Sequence, residues 1–216
     1  MNSLHLDIHL INFALHERDF AYPGDYGPGK SNQPLMQFHH ISEWCDYLLT
    51  LQIKGPKVPG IHIDAYHAAL RVMFLAWVEP ACIKTAELQA LRSLEGALRG
   101  VYFQPIYQKK LTKKSKLTPD DFSKKLGLGQ LLDHMAEHDD LSTSLHSQSN
   151  RDYGNALSTI RNRLAHGDPF DTMPWGGLLE SVREVMIHAY RNFPGPANYL
   201  LQTCDELGKC SRETGS

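Results

Sequence analysis

The chain has 216 residues, 42% of them hydrophobic, so it is long enough to bury a hydrophobic core without help from disulfides. No apolar stretch reaches the roughly 20 residues that cross a bilayer, which excludes a membrane-spanning class of protein. The four cysteines form no Cys-x-x-Cys pair and no cleavable apolar leader is evident, so we expect a reducing cytoplasm.

The formal net charge of −2 is unevenly distributed along the chain. The segment from Lys109 to Lys125 holds seven lysines and two aspartates, so its net charge is +5 and the rest of the chain carries −7. A lysine-rich connector is most simply a solvated loop, but its charge would also attract a polyanion toward a nearby site. The sequence leaves both interpretations open.

The weakest pattern belongs to residues 1–60, which we interpret as an N-terminal extension. Apolar and polar residues alternate over residues 4–10, which fits a short strand or a helix. A stretch rich in glycine and proline covers residues 23–34, and the apolar segment Phe38–Leu51 predicts a helix. Proline and glycine pairs near residue 60 then predict a boundary before the main domain.

Hydrophobic spacing predicts an all-α domain of four to five helices over residues 61–196. The first helix has Asp64 as a candidate N-cap and ends at Glu79-Pro80. The next helix covers about Thr85–Tyr102. Beside its apolar residues lie three charged ones, which predict surface ion pairs: Arg92, Glu95 and Arg99.

The second half of this domain begins with a clear helix start. Thr118 is a candidate cap, followed by a proline at the first helical position and two acids that suit the helix dipole. Gly127 and Gly129 predict an interruption before the apolar pattern resumes. A final helix is predicted over Gly176–Phe193, and residues 197–216 read as a weakly ordered tail.

Between these elements, the segment from Arg151 to His166 predicts a helix with two dissimilar faces. Rotation by about 100° per residue places four residues on a core face: Tyr153, Leu157, Ile160 and Leu164. The opposite face is cationic, small and free of carboxylates: Arg151, Gly154, Asn155, Ser158, Arg161, Asn162, Ala165 and His166. Such a face suits a phosphate or a symmetric partner, although an Arg and a His near a helix C-terminus also occur simply because cations favour the dipole there.

The sequence Arg161-Asn162-Arg163-Leu164-Ala165-His166 resembles the Arg-x(4-6)-His motif of the HEPN superfamily, in which a polar residue often follows the arginine. The segment Leu126–Leu132 is similar to the helix that precedes the motif in many such domains, and Leu88–Tyr102 is similar to an earlier helix of the family. The resemblance covers about residues 64–193. It implies a HEPN-like helical bundle that dimerises through the motif helix, with residues 1–60 as an extension.

The resemblance further implies a metal-independent endoribonuclease that needs no cofactor. Two copies of the motif would line one cleft, with Arg161 and His166 as the catalytic residues. Histidine suits proton transfer to or from a ribose at neutral pH, and a guanidinium suits the charge that develops on the phosphoryl oxygens. Asn162, Arg163 and Ser158 are the expected substrate-binding residues. Many HEPN nucleases are toxins or defence effectors, so an antitoxin or regulatory protein is a further implied partner.

Two other classes of function remain open at this stage. The first is a HEPN-like module that binds RNA, a nucleotide or a partner protein and performs no cleavage. The second is metal-dependent hydrolysis, because His134 and His138 are spaced i, i+4 beside Asp139 and Asp140. The sequence has no His-Glu-x-x-His pattern and no evident third ligand, so a solvated surface is the preferred interpretation of these histidines.

Overall fold

The computed structural model describes residues 17–24, 35–112, 118–139, 150–166 and 174–192. Within these ranges the chain is mostly helical, with seven helices and one two-stranded antiparallel sheet. The elements are β1 (Glu17–Pro23), β2 (Leu35–His40), α1 (Ile41–Thr50), α2 (Gly60–Leu75), α3 (Cys82–Leu111), α4 (Pro119–Lys125), α5 (Leu128–His138), α6 (Asn150–His166) and α7 (Leu178–Ala189). The helical class predicted from the sequence is therefore confirmed, whereas the sheet was not predicted.

Several predictions concern segments outside the described residues. They are the strand or helix at residues 4–10, most of the stretch at residues 23–34, the end of the motif helix at Gly167, and the tail at residues 197–216. The side chains of residues 150–156 also lie outside them, and Tyr153, Arg151, Gly154 and Asn155 are among these.

The hairpin β1–β2 forms one wall of the hydrophobic core. Phe20 pairs with Phe38 and Tyr22 with Met36, so the aromatic side chains of both strands share the inner face. Arg18 ties the hairpin to the helices by donating a hydrogen bond to the backbone carbonyl of Trp77. The described part of residues 1–60 thus belongs to the same core as the helices that follow.

The predicted helix Phe38–Leu51 begins three residues too early, because residues 38–40 belong to β2. His40 is the N-cap of α1: its Nδ1 accepts from Ser42 N at 3.1 Å, and Glu43 Oε2 accepts from His40 N at 3.3 Å. These reciprocal bonds satisfy the first backbone donors and so fix the start of the helix.

Asp64 is not an N-cap, which corrects the sequence prediction. Helix α2 begins at Gly60, directly after Pro59, whose backbone is extended, and ends at Leu75. The sequence pattern predicted a later end of this helix, at Glu79-Pro80. The residues after Leu75 form a turn instead, with backbone hydrogen bonds as far as Glu79.

The longest helix, α3, is the central element of the bundle. It has 30 residues instead of the predicted 18 or so, and it continues past Pro105. Proline removes one backbone donor and usually ends a helix, but here Tyr102, Ile106 and Tyr107 are buried around it and packing outweighs the loss. Helices α2, α5, α6 and α7 all pack against α3. Close approach to α7 requires a glycine at position 100, where a Cβ would lie 2.6 Å from Tyr190 Oη.

The predicted start at Thr118 is confirmed. Its Oγ1 accepts from Asp121 N at 3.2 Å, and Pro119 occupies the first helical position of α4. Gly127 separates α4 from α5, as predicted, and is the N-cap of α5, but Gly129 is the second residue of α5 and does not interrupt it. Helix α7 is shorter than predicted, because Gly177, with a left-handed φ of 73°, precedes its first residue.

Candidate functional site

Helix α6 ends at His166 and has the buried face that its sequence predicts. Leu157 is 3% exposed, and Ile160 and Leu164 are half-buried against the core. This face packs on α5 and α3. Ser158 is half-buried at the α5 side, where its Oγ would lie 3.4 Å from a Cβ on Gly129, so a glycine there lets the two helices approach closely.

The last two turns or so of α6 present an exposed stripe of polar and small side chains. Its members are Thr159, Asn162, Ala165 and His166, all exposed. They recur at intervals of three and four residues, so they follow one side of the helix. His166 is therefore accessible to a ligand or to a second protein chain, as the sequence predicted.

Arg161 lies at the border between this exposed stripe and the packed face of α6. Its side chain is 31% exposed, and its Nη2 donates to Glu95 Oε2 on α3 at 3.0 Å. Its Nη1 makes a long hydrogen bond of 3.3 Å to Asn162 Oδ1. Its Nε is buried and has no acceptor among the described residues. The guanidinium is thus anchored at one edge and partly open to solvent.

Glu95 joins α3 to α6 at this site and reaches the end of α4 only through Arg99. Its side chain is only 13% exposed, and its second oxygen, Oε1, accepts from Arg99 Nη2 at 3.0 Å. Arg99 Nη1 in turn donates to Ser123 O at 2.9 Å, and its Nη2 also donates to Leu126 O, so it holds the end of α4. The predicted ion pair within α3 is confirmed, but it is half-buried instead of lying on the surface.

Arg163, a predicted substrate-binding residue, faces the other flank of α6. Its Cζ lies 6.0 Å from the ring centroid of Trp175, a distance at which a cation and an aromatic face attract each other. Lys84 Nζ lies 5.9 Å from the centroid of the same ring. The backbone N of Trp175 donates to the buried Glu87 at 2.7 Å, so this ring is fixed on the core.

The structure therefore brings some of the predicted site residues together and separates others. Arg161 and Asn162 are hydrogen-bonded, and Asn162 shares the exposed stripe with His166. Within the described residues, no hydrogen bond joins Arg161 to His166. Ser158 and Arg163 lie on opposite flanks of α6, toward α5 and Trp175 respectively.

Glu95 was not among the site residues predicted from the sequence. The i, i+4 spacing of Glu95 and Arg99 was a visible signal for an ion pair along α3. The partner on α6 was not visible, because Arg161 is 66 residues away in the chain. The carboxylate that the outer face of α6 lacks in its own sequence is supplied from the neighbouring helix.

The histidines of the metal hypothesis lie together on α5. The rings of His134 and His138 are stacked with centroids 4.4 Å apart. Burial lowers the pKa of His134, and the neighbouring His138 and Lys109 lower it further. Asp139 accepts hydrogen bonds from Tyr102 and Arg191. Burial tends to raise the pKa of Asp139, but these two hydrogen bonds outweigh it and keep the pKa below its usual value. Among the described residues, no group of three or more His, Cys, Asp or Glu side chains is arranged to hold a metal ion.

The described helices include none with the length and apolar character needed to cross a membrane. Comparison with known proteins adds no assignment: no family model, no curated protein and no solved structure matches the chain.

Proposed function

We propose that this chain is a metal-independent endoribonuclease of the HEPN type, and that it acts as a homodimer. The observation that carries the proposal is the last turn and a half of α6. There His166 is exposed and Arg161 is partly exposed at the same end of one helix. A cation and an imidazole at this spacing match the motif that the sequence resembles.

The proposed reaction needs only side chains that α6 supplies. One His166 accepts the proton of a ribose 2′-hydroxyl, whose oxygen attacks the adjacent phosphorus. The bond to the 5′-oxygen breaks, and the His166 of the second copy gives that oxygen a proton. The products are a 2′,3′-cyclic phosphate and a 5′-hydroxyl. Arg161 stabilises the negative charge that builds on the phosphoryl oxygens.

The contacts of Arg161 fit this role. Glu95 holds one η nitrogen, and the side chain remains 31% exposed, so the guanidinium has a defined orientation and can still meet a ligand. Asn162 contacts the other η nitrogen and lies on the exposed stripe, where its amide can orient the phosphate. Ser158 and Arg163 face the flanks, so a substrate role for them requires RNA to extend beyond the exposed stripe.

The exposed stripe also supports dimerisation through α6. Its side chains are small or uncharged apart from His166 and lie along one side of the helix. A second copy related by a twofold axis would place two such stripes face to face, with the two copies of Arg161 and His166 near each other. The proposal needs this arrangement, because the two proton transfers use two histidines.

The proposed setting is cytoplasmic, with an antitoxin or regulatory protein as partner. Both described cysteines, Cys45 and Cys82, are free thiols, which suits a reducing compartment. Toxin or defence activity would explain why a nuclease of this kind needs a partner that restrains it.

A non-catalytic module that binds RNA or a protein is the second candidate. It is favoured by the ion pair between Arg161 and Glu95, because that carboxylate already compensates the charge that a phosphate would otherwise meet. In this case Arg161 would mainly fasten α6 to α3, and the exposed stripe would serve recognition alone.

An RNA cleavage assay with single variants distinguishes the candidates. We expect His166→Ala to lower cleavage by about 10²–10⁴-fold, the usual contribution of a general acid or base. Arg161→Ala should lower it by about 10²–10³-fold, as for loss of a group that stabilises developing charge. His138→Ala, a change at another exposed histidine of similar type, should leave the rate unchanged, and so should a chelator.

The other outcomes identify the alternatives. The binding module would be favoured if the wild-type protein binds RNA and does not cut it, both in the presence of candidate partners and after their removal. Loss of cleavage in His138→Ala together with loss in chelator would favour the metal hypothesis. Equal activity in wild type and His166→Ala would contradict the proposed function directly.

A further inference from the structure

Three exposed lysines lie where helix α4 packs on the last part of α3. We call them the lysine patch: Lys110, Lys124 and Lys125. Helix α4 packs on the end of α3 through Phe122, which is 2% exposed and whose ring centroid lies 5.5 Å from those of Phe103 and Tyr107. Lys110 Nζ lies 5.4 Å from the centroid of Phe122, so this lysine of α3 reaches over α4.

The lysine patch is joined to Arg161 by a short series of contacts. Arg99 Nη1 donates to the backbone and side-chain oxygens of Ser123, at 2.9 and 3.2 Å, directly before Lys124 in the chain. Arg99 also shares Glu95 with Arg161, at 3.0 Å on each side. The last turn of α4 is thereby fixed beside the candidate site, with its two lysine side chains directed to solvent.

Among the described residues, no ion pair joins the two acids of α4 to the lysines one turn later. Asp120 and Asp121 lie in the first turn, and Asp121 Oδ2 accepts from Thr118 Oγ1 at 2.8 Å as part of the cap. Lysines at a helix C-terminus favour the dipole, which accounts for the pair on α4. This pair also lies beside Arg99 and Arg161, so the surface carries several cations that a polyanion would neutralise.

We propose that the lysine patch binds the backbone phosphates of the RNA strand that continues beyond the phosphate at Arg161. This inference rests on the proposed function, because it takes RNA as the ligand of α6. In this proposal the strand runs from Arg161 past Arg99 to the end of α4, which Arg99 holds beside the site. Lysines act there as point charges that hold the backbone and read no bases, so the patch contributes affinity and no sequence preference.

The test measures binding separately from cleavage. The probe is a short single-stranded oligonucleotide with 2′-O-methyl riboses, which has the phosphates of RNA and no reactive hydroxyl. Its affinity for the wild-type protein is measured by fluorescence anisotropy over a range of salt concentrations. The test variant carries Lys124→Gln and Lys125→Gln. The matched control carries Lys54→Gln and Lys57→Gln, which remove the same charge from the exposed loop between α1 and α2.

We expect the test variant to bind roughly 10-fold more weakly at low salt, and its slope of log affinity against log salt to fall by about 1.4, or 0.7 for each lost phosphate contact. The control should match the wild type. In the cleavage assay the test variant should show a raised KM for RNA and an unchanged kcat, since neither lysine touches the reacting atoms.

Each failure has its own signature. If the two double variants have the same affinity and salt slope, the inference is overturned, whatever the cleavage assay shows. If the wild type never cleaves RNA but only the Lys124 and Lys125 variant loses oligonucleotide binding, the patch stands and the nuclease proposal falls. The single variant Lys110→Gln provides a second test on α3: we expect weaker binding than in the wild type, and equal binding would overturn the proposed surface.

Discussion

The hairpin side and the α6 side of this molecule are built in different ways. On the hairpin side, Phe20, Phe38 and Trp44 form an aromatic cluster with ring centroids 4.9–5.1 Å apart around Trp44, and Trp44 is fully buried. On the α6 side, Arg161, Glu95 and Arg99 are partly exposed and joined by ion pairs. The first region excludes water, and the second keeps charged groups at its surface.

The difference separates residues that maintain the fold from residues available for chemistry. Buried aromatic area contributes to stability without regard to any ligand. Partly exposed ion pairs contribute little to stability, because solvent screens them and holding two long side chains costs entropy. A charged group kept half-open at such a cost is better explained by a ligand than by folding. Substitutions on the hairpin side should therefore change stability most, and substitutions on the α6 side should change activity or assembly.

Trp44→Ala should cause the largest change, a loss of about 3–5 kcal/mol in the free energy of unfolding, because it removes a fully buried aromatic side chain and leaves a cavity. Urea denaturation followed by circular dichroism measures it. Trp44→Phe is the control and should cost less, since it keeps most of the ring contacts. A loss below about 1 kcal/mol in Trp44→Ala would show that the hairpin side is not part of the cooperative core.

Glu95→Ala should lower kcat for RNA cleavage by about 10²-fold, the effect of a small misplacement of a catalytic group, with a small change in KM. The reason is that Glu95 accepts a hydrogen bond from Arg161 and, in the proposed mechanism, acts on the RNA only through that arginine. Glu95→Gln keeps an acceptor oxygen and should recover part of kcat. Glu137→Ala, at a more exposed glutamate on α5, is the matched control.

A merely structural Glu95 would give a different pattern. Its alanine variant would then lose stability in urea, and its kcat for the folded fraction would equal that of the wild type. An increase in kcat would also contradict the account, because it would make Glu95 a competitor of the substrate for Arg161.

Ala165→Arg should convert the proposed dimer to a monomer, because a long charged side chain would replace a methyl group within the exposed stripe. Analytical ultracentrifugation measures the change. Ala81→Arg introduces the same side chain at an exposed alanine before α3 and should leave the assembly unaltered. If the wild type is a monomer at the concentrations at which it cuts RNA, the shared site is excluded.

Local sequence signals predicted the parts of this fold that depend on neighbouring residues. The cap at Thr118, the break at Gly127 and the C-terminal position of His166 in α6 all follow from short-range rules, and all were predicted. The core face of α6 was predicted as well, through Leu157, because helical periodicity needs only one segment of chain.

The features that were missed depend on contacts between distant segments. Phe20 pairs with Phe38 across a stretch of the sequence that is rich in glycine and proline, so no local pattern predicted the hairpin. The continuation of α3 past Pro105 depends on burial of Tyr102 and Ile106 against other helices. The link from Arg161 to Glu95 depends on how α6 packs on α3. For the same reason, Asn162, Ala165 and His166 were predicted correctly on the exposed side, whereas Ser158 and Arg161 were placed there and are half-buried against neighbouring helices.

The most direct test of the central claim uses an RNA with a single 2′-deoxy nucleotide, placed on the 5′ side of the linkage that the wild-type protein cuts. If Arg161 and His166 promote attack by the 2′-oxygen, cleavage at that linkage disappears, and the cuts elsewhere carry 2′,3′-cyclic phosphate and 5′-hydroxyl ends. Cleavage at the deoxy position, or products with 3′-hydroxyl ends, would contradict the proposed nuclease mechanism.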